Sequence, residues 1–91
     1  MKHNSYFDGK VQSLSLSTEK GSATVGVIAP GKYTFNTATE ETMVVVSGTL
    51  KYKLAGRDWQ SAAKGQQFIV PEKQAFDVEA TGDAAYICYY K

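Results

Sequence analysis

Apolar and polar side chains alternate along most of this 91-residue chain. The cleanest stretch is Thr49 to Leu54, TLKYKL, with Leu50, Tyr52 and Leu54 on one side and Lys51 and Lys53 on the other. A period of two marks a half-buried strand, because successive strand side chains point to opposite faces. Val11 to Leu16 carries the same signal, but bringing Val11, Leu14 and Leu16 to one face requires a slip near Gln12 and Ser13. Ser22–Ile28 predicts a strand that returns from it across the polar turn Ser17–Gly21. Lys32–Thr37 predicts a third, with Tyr33, Phe35 and Thr37 on one side, and Thr42–Val46 is a strongly β-branched fourth. After Leu54, Trp59 opens a return strand, and Gln67–Val70, Ala75–Ala80 and Ala84–Tyr90 complete the set. Residues 1–9 show no clean period; Tyr6 and Phe7 are expected to act as a packing anchor and Asp8-Gly9 as a turn.

The breaks between these runs fall at glycine, proline or short polar clusters, among them Ala29-Pro30-Gly31, Ser47-Gly48 and Lys64-Gly65. Nine or ten short strands with no amphipathic helix predict an all-β, double-sheet jelly-roll barrel, whose closure would also limit exposed edges. The length fits one domain over residues 1–91. So small a domain buries a modest share of its surface, and dimerisation would help it.

Composition narrows the chemistry. Net charge is +1, which argues against a nucleic-acid binder. No apolar run approaches a membrane span, and no apolar leader follows the first residues. The single cysteine, Cys88, excludes an internal disulfide and fits a reducing cytoplasm. Cys88 lies in an apolar strand and the only histidine, His3, lies at the terminus, so a Cys–His nucleophile is poorly supported. No glycine-rich phosphate loop and no G-x-S-x-G turn is present.

Two stretches, Gly31–Gly48 and Gly65–Phe76, resemble the paired motifs of the cupins. Glu41 and Gly48 keep the motif's Glu-to-Gly spacing, and Gly65 and Pro71 keep its Gly-to-Pro spacing. The motif's histidine positions fall on Phe35, Thr37 and Phe76. Glu41 alone cannot hold a transition metal, which needs several ligands at fixed geometry, so no metal is expected. The alignment aims Glu41 inward, whereas its neighbour Glu40 must then point out. Tyr33, Phe35, Phe76, Tyr86 and Tyr90 would also face the interior. A packed aromatic core accounts for these residues without any ligand. With Thr37 and Glu41 they would also suit a flat ligand with a polar edge, such as a nucleobase, though burial alone is the stronger account.

The ordered set YFDGKV, SATVGV, YTFNTATEETMVVVSGTL, DWQ, GQQFIVP and YICYY covers nearly the whole chain. It resembles the small cupin-like pyrimidine/purine nucleoside phosphorylases of bacteria. That resemblance implies phosphorolysis of a nucleoside to free base and ribose 1-phosphate, no organic cofactor, and a cytoplasmic homodimer. Glu41 is the candidate catalytic group, with Tyr33, Phe35, Thr37, Thr39, Phe76, Tyr86 and Tyr90 as candidate substrate-binding residues. The alternative is a non-catalytic cupin that binds a sugar or nucleoside.

Overall fold

The computed structural model describes residues 1–91 and contains ten β-strands and no helix. They are β1 (His3–Tyr6), β2 (Val11–Thr18), β3 (Gly21–Ile28), β4 (Gly31–Asn36), β5 (Glu41–Ser47), β6 (Thr49–Leu54), β7 (Gln60–Ala63), β8 (Gln67–Val70), β9 (Ala75–Ala80) and β10 (Ala84–Tyr90). All pairings are antiparallel. One sheet runs β1-β2-β3-β10-β5-β8 and the other β4-β9-β6-β7. The expected barrel closure is absent: no ladder joins the two sheets, so each keeps its edges and the molecule is an open sandwich.

The pairing is nested. β6 pairs with β7, β5 with β8, β4 with β9 and β3 with β10. This long folded hairpin is then rolled, so that β10 also lies beside β5 and β9 beside β6. β3, β10, β5 and β8 are each joined by one crossing to β4, β9, β6 and β7 respectively. β1 and β2 have no such counterpart and extend beyond the smaller sheet.

Between the sheets lies one cluster of sixteen buried side chains, centred on Val45, Leu50, Val70 and Val78. Tyr52 of β6 stacks on Phe68 of β8, with ring centroids 3.8 Å apart, and ties one sheet to the other. Gly48 turns the chain from β5 to β6 at φ +78°, and a Cβ there would stand 2.8 Å from the Asp83 carbonyl oxygen. The motif's glycine is thus required both by backbone conformation and by a close chain approach.

Two local expectations are corrected. β2 has no slip: Val11 to Thr18 pair with Ile28 to Gly21 in unbroken register. Ser13 therefore faces inward and is buried, while Leu14 and Leu16 face outward, 45% and 42% exposed. The terminal segment holds a strand that the sequence hid, since HNSY has no apolar alternation; it adds to the edge of β2.

Candidate functional site

A cavity of about 470 Å³ opens between the β2–β3–β10–β5 part of the large sheet and the β4 side of the small one. That volume lies within the range of small-molecule sites. β10 builds its floor. Its period of two sends Tyr86, Cys88 and Tyr90 to the same inner face, and all three line the cavity. Gly26 makes room for Tyr86: a Cβ at that position would meet the tyrosine ring at 2.5 Å.

Glu41, the first residue of β5, pairs in register with Tyr90 and reaches the cavity. It is the only acidic side chain in the lining, which contains no basic one. Glu40, one residue earlier, points away and meets Lys91 at 3.7 Å. The Cys88 thiol donates a 3.4 Å hydrogen bond to Glu41 Oε1. Burial pushes the Glu41 carboxyl above the usual carboxylate range, and the thiol contact only partly offsets this. Burial pushes Tyr86 up to about 12 and raises Tyr90 and Cys88 further. Both phenols and the thiol therefore keep their protons at neutral pH. Tyr90 shares a 3.1 Å hydrogen bond with Thr24.

Aromatic rings form the opposite wall. Phe35 of β4 pairs directly with Phe76 of β9, ring centroids 5.7 Å apart. Phe7 packs edge-on against Phe35 at 5.5 Å and tilted on Tyr33 at 5.0 Å. It is held there by a tight turn in which Phe7, Asp8 and Gly9 all have positive φ. Asn36, Ala38 and Thr39 continue the wall where the chain crosses from β4 to β5.

Of the residues singled out in the sequence, Glu41, Phe35, Thr39, Phe76, Tyr86 and Tyr90 come together around this cavity. Tyr33 and Thr37 do not line it. The Tyr33 hydroxyl donates to the carbonyls of Ala29 at 2.7 Å and Pro30 at 3.1 Å, closing the turn before β4. The Thr37 hydroxyl donates to the Pro71 carbonyl at 2.7 Å and accepts from the Gln74 amide at 3.0 Å, fastening the turn before β9. The lining also includes Tyr6, Phe7, Ser13 and Cys88, which the sequence reading did not place there. For Ser13 and Cys88 the signal was available, since each lies two residues from another inward-facing position.

No three His, Cys, Asp or Glu side chains converge anywhere in the chain. Glu41 with the protonated Cys88 thiol is not a transition-metal ligand set. His3 is exposed and its ring Nε2 lies 3.0 Å from Gln12 Oε1.

Fold and site together define a small β-sandwich protein with one aromatic-walled cavity holding a single, partly desolvated carboxylate. The description pyrimidine/purine nucleoside phosphorylase matches residues 1–90, and the chain belongs to that family. A Pseudomonas entomophila protein of that name is 50% identical over 91 residues, covering 99% of this chain and 97% of its own. A Vibrio parahaemolyticus crystal structure of a protein of unknown function superposes with TM-score 0.95 at 40% identity, covering 99% of this chain and 97% of that one. The EutQ protein of Clostridium difficile shares the fold, at TM-score 0.73 and 20% identity, over 86% of this chain and 64% of its own.

Proposed function

We propose that the cavity binds a purine or pyrimidine nucleoside together with inorganic phosphate and catalyses phosphorolysis without a metal. A phosphate oxygen forms a bond to C1′ as the C1′–N bond breaks. The bonding pair leaves with the base, which takes up a proton, and ribose 1-phosphate is released. The observation that carries this reading is the lone Glu41 carboxylate on the floor of an aromatic-walled cavity in a chain of this family.

The reaction passes through an oxocarbenium-like state, and an ionised carboxylate near the sugar lowers its energy. Glu41 takes that role, or holds the ribose hydroxyls. Phe35 and Phe76 supply faces on which a base stacks. Tyr86 and Tyr90 stay protonated, so either can donate a hydrogen bond to the departing base nitrogen. With no cation in the lining, neutral donors hold the phosphate, and Asn36 and Thr39 are the nearest candidates on the crossing.

Residues 1–91 form one domain, a cupin-type jelly roll. Its nested hairpin pairing and its likeness to EutQ support this. At the positions where a cupin carries histidines stand Phe35, Thr37 and Phe76, which supports a metal-free reaction. The single buried thiol suits a reducing cytoplasm, and the small domain suits a homodimer.

The test is incubation with phosphate and a panel including uridine and inosine, with free base and ribose 1-phosphate quantified. Stoichiometric release of both is expected, surviving treatment with a chelator. Binding of nucleoside with no phosphate-dependent release would reject catalysis and leave a binding protein.

A further inference from the structure

On the inner face of the large sheet one cross-strand row runs through Asn4 of β1, Ser13 of β2, Gly26 of β3, Tyr86 of β10 and Val45 of β5. Adjacent strands lie about 4.8 Å apart, so Ser13 and Tyr86 stand two spacings from each other with only a glycine between them. The tyrosine bridges that gap. A Cβ on Gly26 would meet both the Tyr86 Cζ and its hydroxyl oxygen at 2.5 Å, so the ring lies across β3 and carries its hydroxyl toward β2. Ser13 is buried there, 5% exposed, and lines the cavity together with Tyr86.

The hydrogen bonds along this row point one way. Asn4 Nδ2 has two protons and two serine partners, donating to Ser13 Oγ and to Ser15 Oγ at 3.2 Å each. A serine hydroxyl that accepts in this way keeps its own proton to give onward. Its receiver across Gly26 is the Tyr86 oxygen: burial raises the phenol most, and the hydrogen bond from Ser13 works against that rise. The other inward tyrosines spend their protons within the protein. Tyr33 donates to the Ala29 carbonyl and Tyr52 to Gln60 Oε1, and Tyr90 faces Thr24 and the Cys88 sulfur, which can both accept. We propose that Ser13 is a positioning residue: held by Asn4, it turns the Tyr86 proton into the cavity, so that Tyr86 rather than Tyr90 steadies the charge carried off by the departing base. The contribution is a hydrogen bond and not a proton transfer. The proton stays on the phenol, and the base takes its own from water after release. The origin of that charge rests on the phosphorolysis proposed above; the direction of the row, and its recognition of a base, do not.

Phosphorolysis of uridine and 5-fluorouridine tests it, because the fluorinated base is the more stable anion and needs a donor less. Tyr86→Phe should lower kcat/KM on uridine by about 10²-fold and Ser13→Ala by about 10-fold. In both, the rate on 5-fluorouridine relative to uridine should rise, whereas Tyr90→Phe should leave that ratio as it is in the wild type. Because Ser13 acts through Tyr86, adding Ser13→Ala to Tyr86→Phe should cost nothing more. Asn4→Asp should mimic Tyr86→Phe. A carboxylate only accepts, so it draws the Ser13 proton back, and Tyr86 must then donate to Ser13 instead of to the base. A ratio unchanged by Ser13→Ala or moved by Tyr90→Phe overturns the proposal. So do losses that add in the double variant, or wild-type rates in Asn4→Asp. Should Ser13→Ala not fold, Asn4→Asp decides, since Asn4 is only half-buried on an edge strand. If the wild type releases no base, the phosphorolysis reading falls and calorimetric titration with free uracil decides the rest. Affinity should then fall in the same order across the variants, and additive losses or the lack of any binding overturn the assignment.

Discussion

Glu41 is held in a place that disfavours its charge. Its carboxyl titrates above 4.5 because burial penalises ionisation, yet the proposed reaction uses the ionised form. The sign of the linkage follows. A raised folded value means that the native state binds more protons than the unfolded one. Glu41's contribution to stability is then full below its unfolded value and is lost as pH rises through the folded one. Glu41→Gln removes that loss. In thermal melts the variant and wild type should nearly coincide at about pH 4, and the variant should melt higher at pH 8. Its phosphorolysis rate should meanwhile fall by about 10²-fold or more. Equal melting at both pH values would mean that the side chain is solvated. Opposite effects on activity and stability are what a functional site held against its own folding preference shows. Glu41's inward aim was legible from motif spacing alone. The engagement of Tyr33 and Thr37 was not, because nothing in a side chain's identity shows that its hydroxyl will close a turn.

At the scale of elements, the contact between β3 and β10 matters most to the cavity floor. Gly26 and Tyr86 are register partners, and the tyrosine ring occupies the space above the glycine. Gly26→Ala would drive a methyl group into that ring. The expected cost is about 1–3 kcal/mol, with the melting temperature lowered by about 4–8 °C for each kcal/mol. Displacement of Tyr86 should also weaken nucleoside binding, measured by calorimetry, whereas Val27→Ala next door should leave binding unchanged. Strands with strict alternation or β-branched runs, such as β5, β6 and β9, were readable almost to the residue, because half-burial imposes the pattern. β1 was not, since it is an edge strand of polar residues held by its pairing with β2. In β2 the leucines misled. A slip was invoked to bury them, but the strand stays regular and sends them outward, to the exposed face of the large sheet.

At the scale of the molecule, the sequence predicted an all-β double-sheet architecture, and the two sheets are there. Closure into a barrel was not legible, and it does not occur. Periodicity reports which side of a strand is buried, but not which edges find partners. The nested pairing has a further consequence, for the order in which the molecule can assemble. β6 and β7 flank a short turn and close a small loop, whereas Ile28 of β3 must find Ala84 of β10. Closure entropy rises with loop length, so β6–β7 is the least costly pair of the nested set to form, and each pair outward finds its ends already brought closer; the β2–β3 hairpin, outside that set, is local in its own right. Folding should zip outward from β6–β7 at the slow pace of a topology dominated by distant contacts. Pulsed hydrogen exchange during refolding should protect the amides of β6 and β7 before those of β10, whose partners β3 and β5 are both distant in sequence; early protection of β10 would contradict that order. The cavity needs β3, β10 and β4 in place together, so it would be the last feature of the native protein to form, and the first to be lost to a local opening.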